Sequence, residues 1–219
     1  RIAIQADLTT QDLPGKGSFA SKRPTTTAGR PSWERLHLQG QWQGDEWDIA
    51  SLKIDAAQAS LEAQFKLHPA KLSAQGRFAV TLPGLKAHGQ GTLAPLNGQG
   101  TLDMDVQDAA QSLTWLQSWP GWGASLKPFK ASGPGVLAAR WEGGYAQADA
   151  PLTLQLQLPR VEWQRPQQSP WFITQTQLQL QGTPRSLQAQ LQARIGQGAQ
   201  SAELQTHWSA NRGDMKSHD

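Results

Sequence analysis

Apolar residues alternate with glutamine and other polar residues along most of this chain. Leu152, Leu154, Leu156 and Leu158 are separated by Thr153, Gln155 and Gln157, and Leu187, Ala189, Leu191, Ala193 and Ile195 by Gln188, Gln190, Gln192 and Arg194. A period of two places every second side chain on the same face of a β-strand. Repeated over 219 residues, it predicts an extensive sheet with one apolar and one wet face, and almost no helix to cover the apolar one.

The strands follow one another closely. The first is Ile2 to Leu8, followed by a loop over 9–32 broken by Pro14-Gly15, Pro24 and Gly29-Arg30-Pro31. Leu36, Leu38, Gly40 and Trp42 then alternate, Gly44-Asp45 turns the chain, and Trp47 and Ile49 resume. The phase slips at Ala50-Ser51 before Leu52 and Ile54, which reads as a β-bulge. Further strands carry Leu61, Phe65 and Leu67; Leu72, Phe78 and Val80; Leu85 to Leu93; and Leu102, Met104 and Val106. From Asp108 to Trp119 the rhythm changes to Ala109, Leu113 and Leu116, a short helix capped by Asp108 and ended by Pro120-Gly121. Alternation returns at Gly135, Leu137, Ala139 and Trp141, then at Leu152 to Leu158, Val161 and Trp163, at Phe172, Thr174, Thr176, Leu178 and Leu180, at Leu187 to Ile195, and at Ala202 to Trp208.

About a dozen strands result, many of roughly 8–11 residues against a usual mode of about 5–6. Short connections rich in Gly and Pro favour antiparallel neighbours. The fold class expected is therefore all-β: a long, mostly antiparallel meander curved into an open hydrophobic groove, with one short helix near 108–119. Its parts are a first sheet segment (1–106), the helix and connector (107–130), a second sheet segment (131–208) and a polar tail (209–219). The chain starts in the middle of a strand pattern and is read as an interior segment of a larger protein.

The apolar face mixes large residues with Ala and Gly (Ala63, Ala74, Gly76, Ala87, Gly89 and Gly91). Small residues fill a closed core poorly, and interiors pack at crystal-like density. An open trough accommodates them better than two interlocked layers. Its expected lining comprises Leu36, Leu38, Leu61, Phe65, Leu72, Phe78 and Val80 from the first part. Leu102, Met104, Leu137, Leu152, Leu154 and Leu156 follow, and then Leu178, Leu180, Leu187, Leu191 and Leu204. A strand of about nine residues spans about 30 Å; bent midway, it gives walls as deep as about one leaflet of a hydrocarbon core.

Other chemistries find little support. Net charge is +3, mean hydropathy is −0.55, and Lys and Arg are scattered, whereas nucleic-acid binding needs a clustered basic stripe. There is no cysteine, so neither disulfides nor thiolate metal sites enter. No apolar run reaches the 18 residues of a membrane-spanning helix. His37, His68, His88, His207 and His218 are far apart, without ligand spacing. Gly89 to Ala94 and Gly133 to Ala138 spell GxGxxA, but neither opens the helix a dinucleotide site requires. Asp45-Glu46 reads as a solvated turn, no nucleophile elbow occurs, and Arg212-Gly213-Asp214 lies in a polar tail. No catalytic group, metal or cofactor is expected, and the chain is not read as an enzyme. The ten tryptophans read as core and rim, with indoles suited to a groove mouth where ring meets lipid and nitrogen meets water.

Three runs carry a family resemblance: LHLQGQWQGDEWDIASLKIDAAQASLEAQFKL (Leu36 to Leu67), AQGRFAVTLPGLKAHGQGTL (Ala74 to Leu93) and LTWLQSWPGWGASLKPFKASGPGVLAARWEG (Leu113 to Gly143). Their style resembles the TamB family (translocation and assembly module) and the related AsmA-like proteins, and the likeness extends from about Trp33 to Trp208. It implies a β-taco sheet in a periplasmic protein of a Gram-negative bacterium, anchored in the inner membrane by a segment outside this chain. The implied partner is a TamA-like outer-membrane barrel of the Omp85 type. The implied roles are outer-membrane protein and autotransporter assembly and secretion, and phospholipid transport between the membranes. The groove would hold phospholipid acyl chains or nascent outer-membrane β-strands. The alternative from the residues alone is a closed structural or carbohydrate-binding β-sandwich.

Overall fold

A computed structural model describes residues 2–9, 33–119, 123–164 and 168–211. Of the expected loop (9–32), helix exit and polar tail (209–219), residues 10–32, 120–122 and 212–219 lie outside the described residues, whereas Thr9 ends the first strand and 209–211 end the last, so both strands run past their expected limits. The described residues form one antiparallel sheet of fourteen strands that does not close into a barrel. The first seven are β1 (Ile2–Thr9), β2 (Trp33–Gln43), β3 (Glu46–Ala56), β4 (Ala59–His68), β5 (Ser73–Leu82), β6 (Leu85–Leu93) and β7 (Gln99–Val106). Helix α1 (Ala109–Gln117) and the single turn α2 (Gly123–Leu126) follow. Then come β8 (Phe129–Ser132), β9 (Gly135–Glu142), β10 (Leu152–Leu158), β11 (Arg160–Trp163), β12 (Trp171–Thr183), β13 (Ser186–Gln197) and β14 (Gln200–Asn211).

Two long strands are cut in two. Gly133, at φ +85°, and Pro134 interrupt the path from β8 to β9, and Pro159, which has no N–H to give a ladder, separates β10 from β11. β8 pairs β11 and β9 pairs β10, while β12 pairs both β10 and β11 along one edge and β13 along the other. The meander is thus twelve long strands in sequence order.

Register turns the alternation into a continuous surface. One row runs Ala6, Leu38, Leu52, Ala63, Phe78, Gly89 across the first half. It continues through Leu102, Ala139, Leu154, Leu180, Ala189 and Trp208. The bulge expected at Ala50-Ser51 is present, with the register shifting between Ile49 and Leu52. Register shifts between Trp33 and Arg35 and in β12 were not expected. Between Thr174 and Gln177 the register slips, and Gln175 sits at φ +54°. Ile173, opposite Ile195, therefore takes the apolar phase, and Phe172 and Thr174 pass to the other face. Leu72 departs too. It caps the 3₁₀ turn Pro69–Lys71 at φ 49° and precedes β5 rather than belonging to it.

The face is packed by laying rings on glycines. A methyl added at Gly100 would fall 2.1 Å from Cζ2 of Trp141, and one at Gly89 would fall 2.6 Å from Cε1 of Phe78. Glycine is required at both because a neighbouring ring occupies the side-chain space. Few side chains are fully covered: Ile49, Ala87, Ala94, Ala109 and Ala193 are the buried apolar residues among those described. Among the described residues this is a single lined layer, with no second sheet packed over it.

Candidate functional site: an open apolar face

The expected lining residues, Leu72 excepted, fall in four neighbouring rows on one face. The first row holds Phe65, Leu152 and Leu187, and the second Leu38, Phe78, Leu102, Leu154 and Leu180. The third holds Leu36, Leu61, Val80, Met104, Leu137, Leu156, Leu178 and Leu191. Leu204 stands opposite Ala193 in the fourth. None of them is buried. Most are half-buried, while Phe78 and Leu204 are 38% and 39% exposed. Leu72, 69% exposed, lies outside the strands at the sheet's end. Ile49, Leu52, Ile54 and Ile173 share the face and were not among the expected lining residues. The phase slip at Ala50-Ser51 carries the signal for the first three.

The two ends of this face are laced by loops. At one end Asp108 caps α1, its Oδ1 accepting from the N–H groups of Ala110 (2.9 Å) and Gln111 (3.2 Å). The helix then runs along the strand ends. Ala109 N–H donates to the Gly133 carbonyl, Ser112 Oγ to the Pro83 carbonyl at 2.9 Å, and Trp115 Nε1 to the Ala57 carbonyl at 3.0 Å. Trp119 stands edge-to-face against Trp115, with ring centroids 5.1 Å apart, and its Nε1 is buried without a partner. At the opposite end Tyr145 bridges two turns: its hydroxyl donates to the Leu72 carbonyl at 2.9 Å and its N–H to the Ala94 carbonyl at 3.1 Å.

The tryptophans divide by position. Trp42 and Trp47 stack at 5.9 Å on the apolar face near the end of the β2–β3 hairpin. Trp141 lies over the glycines, its Nε1 donating to the Thr92 carbonyl at 3.2 Å. Trp163 stacks on Phe129 at 6.3 Å, and Trp208 is 56% exposed on β14.

The wet face carries the ionisable groups, as cross-strand pairs. Lys66 meets Asp48 at 3.1 Å, Lys53 meets Glu62 at 3.1 Å and His88 lies 3.5 Å from Asp103. His37 pairs with Asp7, and that hydrogen bond, helped by the charge of the imidazole, lowers the Asp7 carboxyl below the ordinary carboxylate range. No cluster of three metal-ligating side chains exists among the described residues, and no described helix is long and apolar enough to cross a membrane.

Hollows of about 1090 Å³ and 170 Å³ lie on the wet face of the described residues. The larger is lined by triplets such as Gln64-Phe65-Lys66, Gln75-Gly76-Arg77, Gln99-Gly100-Thr101 and Arg140-Trp141-Glu142. The outer members of each triplet share the polar face, so the middle residue supplies backbone as the floor. Comparison of the chain with protein-family models, with curated proteins and with solved structures finds no match.

Proposed function

We propose that this chain is a segment of an inner-membrane-anchored periplasmic envelope-biogenesis protein of the TamB style. Its apolar face guides phospholipid acyl chains between inner and outer membranes, or receives amphipathic strands of outer-membrane proteins and autotransporters during assembly. The partner at the far membrane is then a TamA-like barrel. One observation supports this reading above others: an apolar face about twelve strands wide stays half-buried, with no second layer against it among the described residues. At about 4.8 Å per strand that face runs on the order of 50 Å, far beyond the scattered apolar residues of an ordinary surface. Exposed apolar area of that extent marks an interaction site, and burying an acyl chain returns about 0.8 kcal/mol per methylene.

The test is photocrosslinking from Leu61, Phe78, Leu102, Leu156 and Leu191, with mass spectrometry of the lipid extract of the purified protein. Labelled phospholipid, or a labelled outer-membrane client, is the expected result. Adducts confined to neighbouring strands of the same chain would overturn the reading.

A further inference from the structure

We propose that the large hollow on the wet face binds a linear glycan bearing acidic groups. This site is on the opposite side of the sheet from the apolar lining and is independent of the function proposed for that lining.

The shape suits an extended chain. The hollow crosses β3, β4, β5, β6, β7, β9 and β10, which are six inter-strand steps, or about 29 Å at about 4.8 Å each. It is a cleft perpendicular to the strands. Its floor is main chain whose ladder bonds are made within the sheet. An extended peptide entering there finds no free backbone groups, because strand addition needs an edge. The ligand must be recognised by side chains alone.

Those side chains are sorted by register. Gln64, Arg77, Gln90, Thr101, Arg140 and Thr153 stand in one row along a wall of the cleft. The row holds two guanidinium groups and no carboxylate. The two cations are three strands apart, about 14 Å, with an amide and a hydroxyl between them. Arg77 Nε donates to the neutral Oε1 of Gln64 at 2.9 Å, which orients the group without cancelling its charge. Arg140 is exposed, and its guanidinium meets no described acceptor. On the facing wall Lys66 is neutralised by Asp48 at 3.1 Å, which leaves Glu142 as the unpaired carboxylate there.

A guanidinium fork matches a carboxylate or a phosphate two bonds at a time. Amides and hydroxyls both donate and accept, as a run of sugar hydroxyls requires. Among the described residues no aromatic ring offers a stacking platform in the cleft, since Phe65 and Trp141 take the phase of the other face. Affinity for this ligand therefore comes from its acidic groups, and a neutral glycan gains little here.

The experiment uses the whole chain and measures binding by calorimetry to four polymers: polygalacturonate, phosphorylated dextran, plain dextran and polyglutamate. Arg77→Gln and Arg140→Gln change exposed side chains, and their melting is compared with that of the parent. Lys130→Gln removes the same charge outside the cleft. The expected result is binding of one or both acid-bearing glycans, the tighter of the two identifying the anion. Each arginine variant should weaken it about tenfold and the double variant about a hundredfold. Lys130→Gln should stay within about twofold and plain dextran should not bind. The proposal is overturned if no acidic glycan binds, if the double variant binds as tightly as the parent, or if polyglutamate binds as tightly as the glycans. Crosslinking of lipid or client from Leu156 should persist in the double variant, which separates this site from the apolar face.

Discussion

β5 to β7 and β12 to β14 obey the same alternation and are held very differently. In the first group the apolar face interlocks: Phe78 lies on Gly89, Trp141 of the neighbouring β9 lies on Gly100, and Ala87 is buried between Val80 and Met104 of the flanking strands. In the second, leucine faces leucine or alanine, as in Leu178 opposite Leu191 and Leu180 opposite Ala189; burial of apolar side chains there is confined to Ala193 beside the bulge, and the one ring laid on a glycine, Phe172 on Gly196, is on the other face. By β14 every residue from Gln200 to Ser209 is exposed. Alternation selects a face, whereas pairing a large ring with a missing side chain decides how firmly that face is held.

The sharpest way to break the contrast is to place one carboxylate in each region. Ala87→Asp should cost about 3–5 kcal/mol in urea unfolding, since it buries a charge without a partner. Ala202→Asp, exposed on β14, should stay within about 0.5 kcal/mol. Equal losses would mean that both regions are equally packed. Next in size, Gly100→Val should cost about 2–3 kcal/mol by overpacking against Trp141. Adding Trp141→Ala to it should cost less than the sum of the single changes, because the two residues share one space.

These pairs also show where the sequence was legible. The face of almost every strand followed from period two. The bulge at Ala50-Ser51 was readable because it interrupts an apolar rhythm. The bulge at Gln175 was not, because Thr174, Gln175 and Thr176 are all polar and Phe172, Thr174, Thr176 and Leu178 preserve a false alternation across it. Leu72 reads as the start of a strand for a similar reason, although Pro69 extends the preceding turn by a 3₁₀ step. The wet-face cleft had no sequence signature. Arg77 and Arg140 join one row only through the register of four strands, a long-range property that local patterns do not carry.

The helix offers a smaller test. α1 ties the ends of the β3–β4 and β5–β6 hairpins and, among the described residues, has no counterpart along β12 to β14. Asp108→Ala removes its cap and should cost about 1 kcal/mol. Hydrogen exchange should rise around Ala57 and Pro83 and stay unchanged in β13. A uniform rise would show that the helix steadies the whole sheet instead of one end of it.

The smallest effect is one of pH, at the other margin of the sheet. The folded carboxyl of Asp7 titrates below its unfolded value, chiefly through the hydrogen bond with His37. A depressed carboxyl contributes stability that is present above the unfolded value and fades as pH falls through the folded one. Exchange of the Ile4 and Ala6 amides should therefore quicken selectively in acid relative to β6. His37→Ala should abolish that selectivity.

Among the described residues, β1 and β14 each pair on one side only. A barrel must satisfy a closure condition that couples strand number to radius; this architecture is free of it. Duplicating or deleting a hairpin would change the span of the lining by about 10 Å and leave its cross-section as it was. Under the proposed function, length is thus an independent variable that gene duplication can tune to the distance to be bridged, at no cost to the profile a guest would encounter.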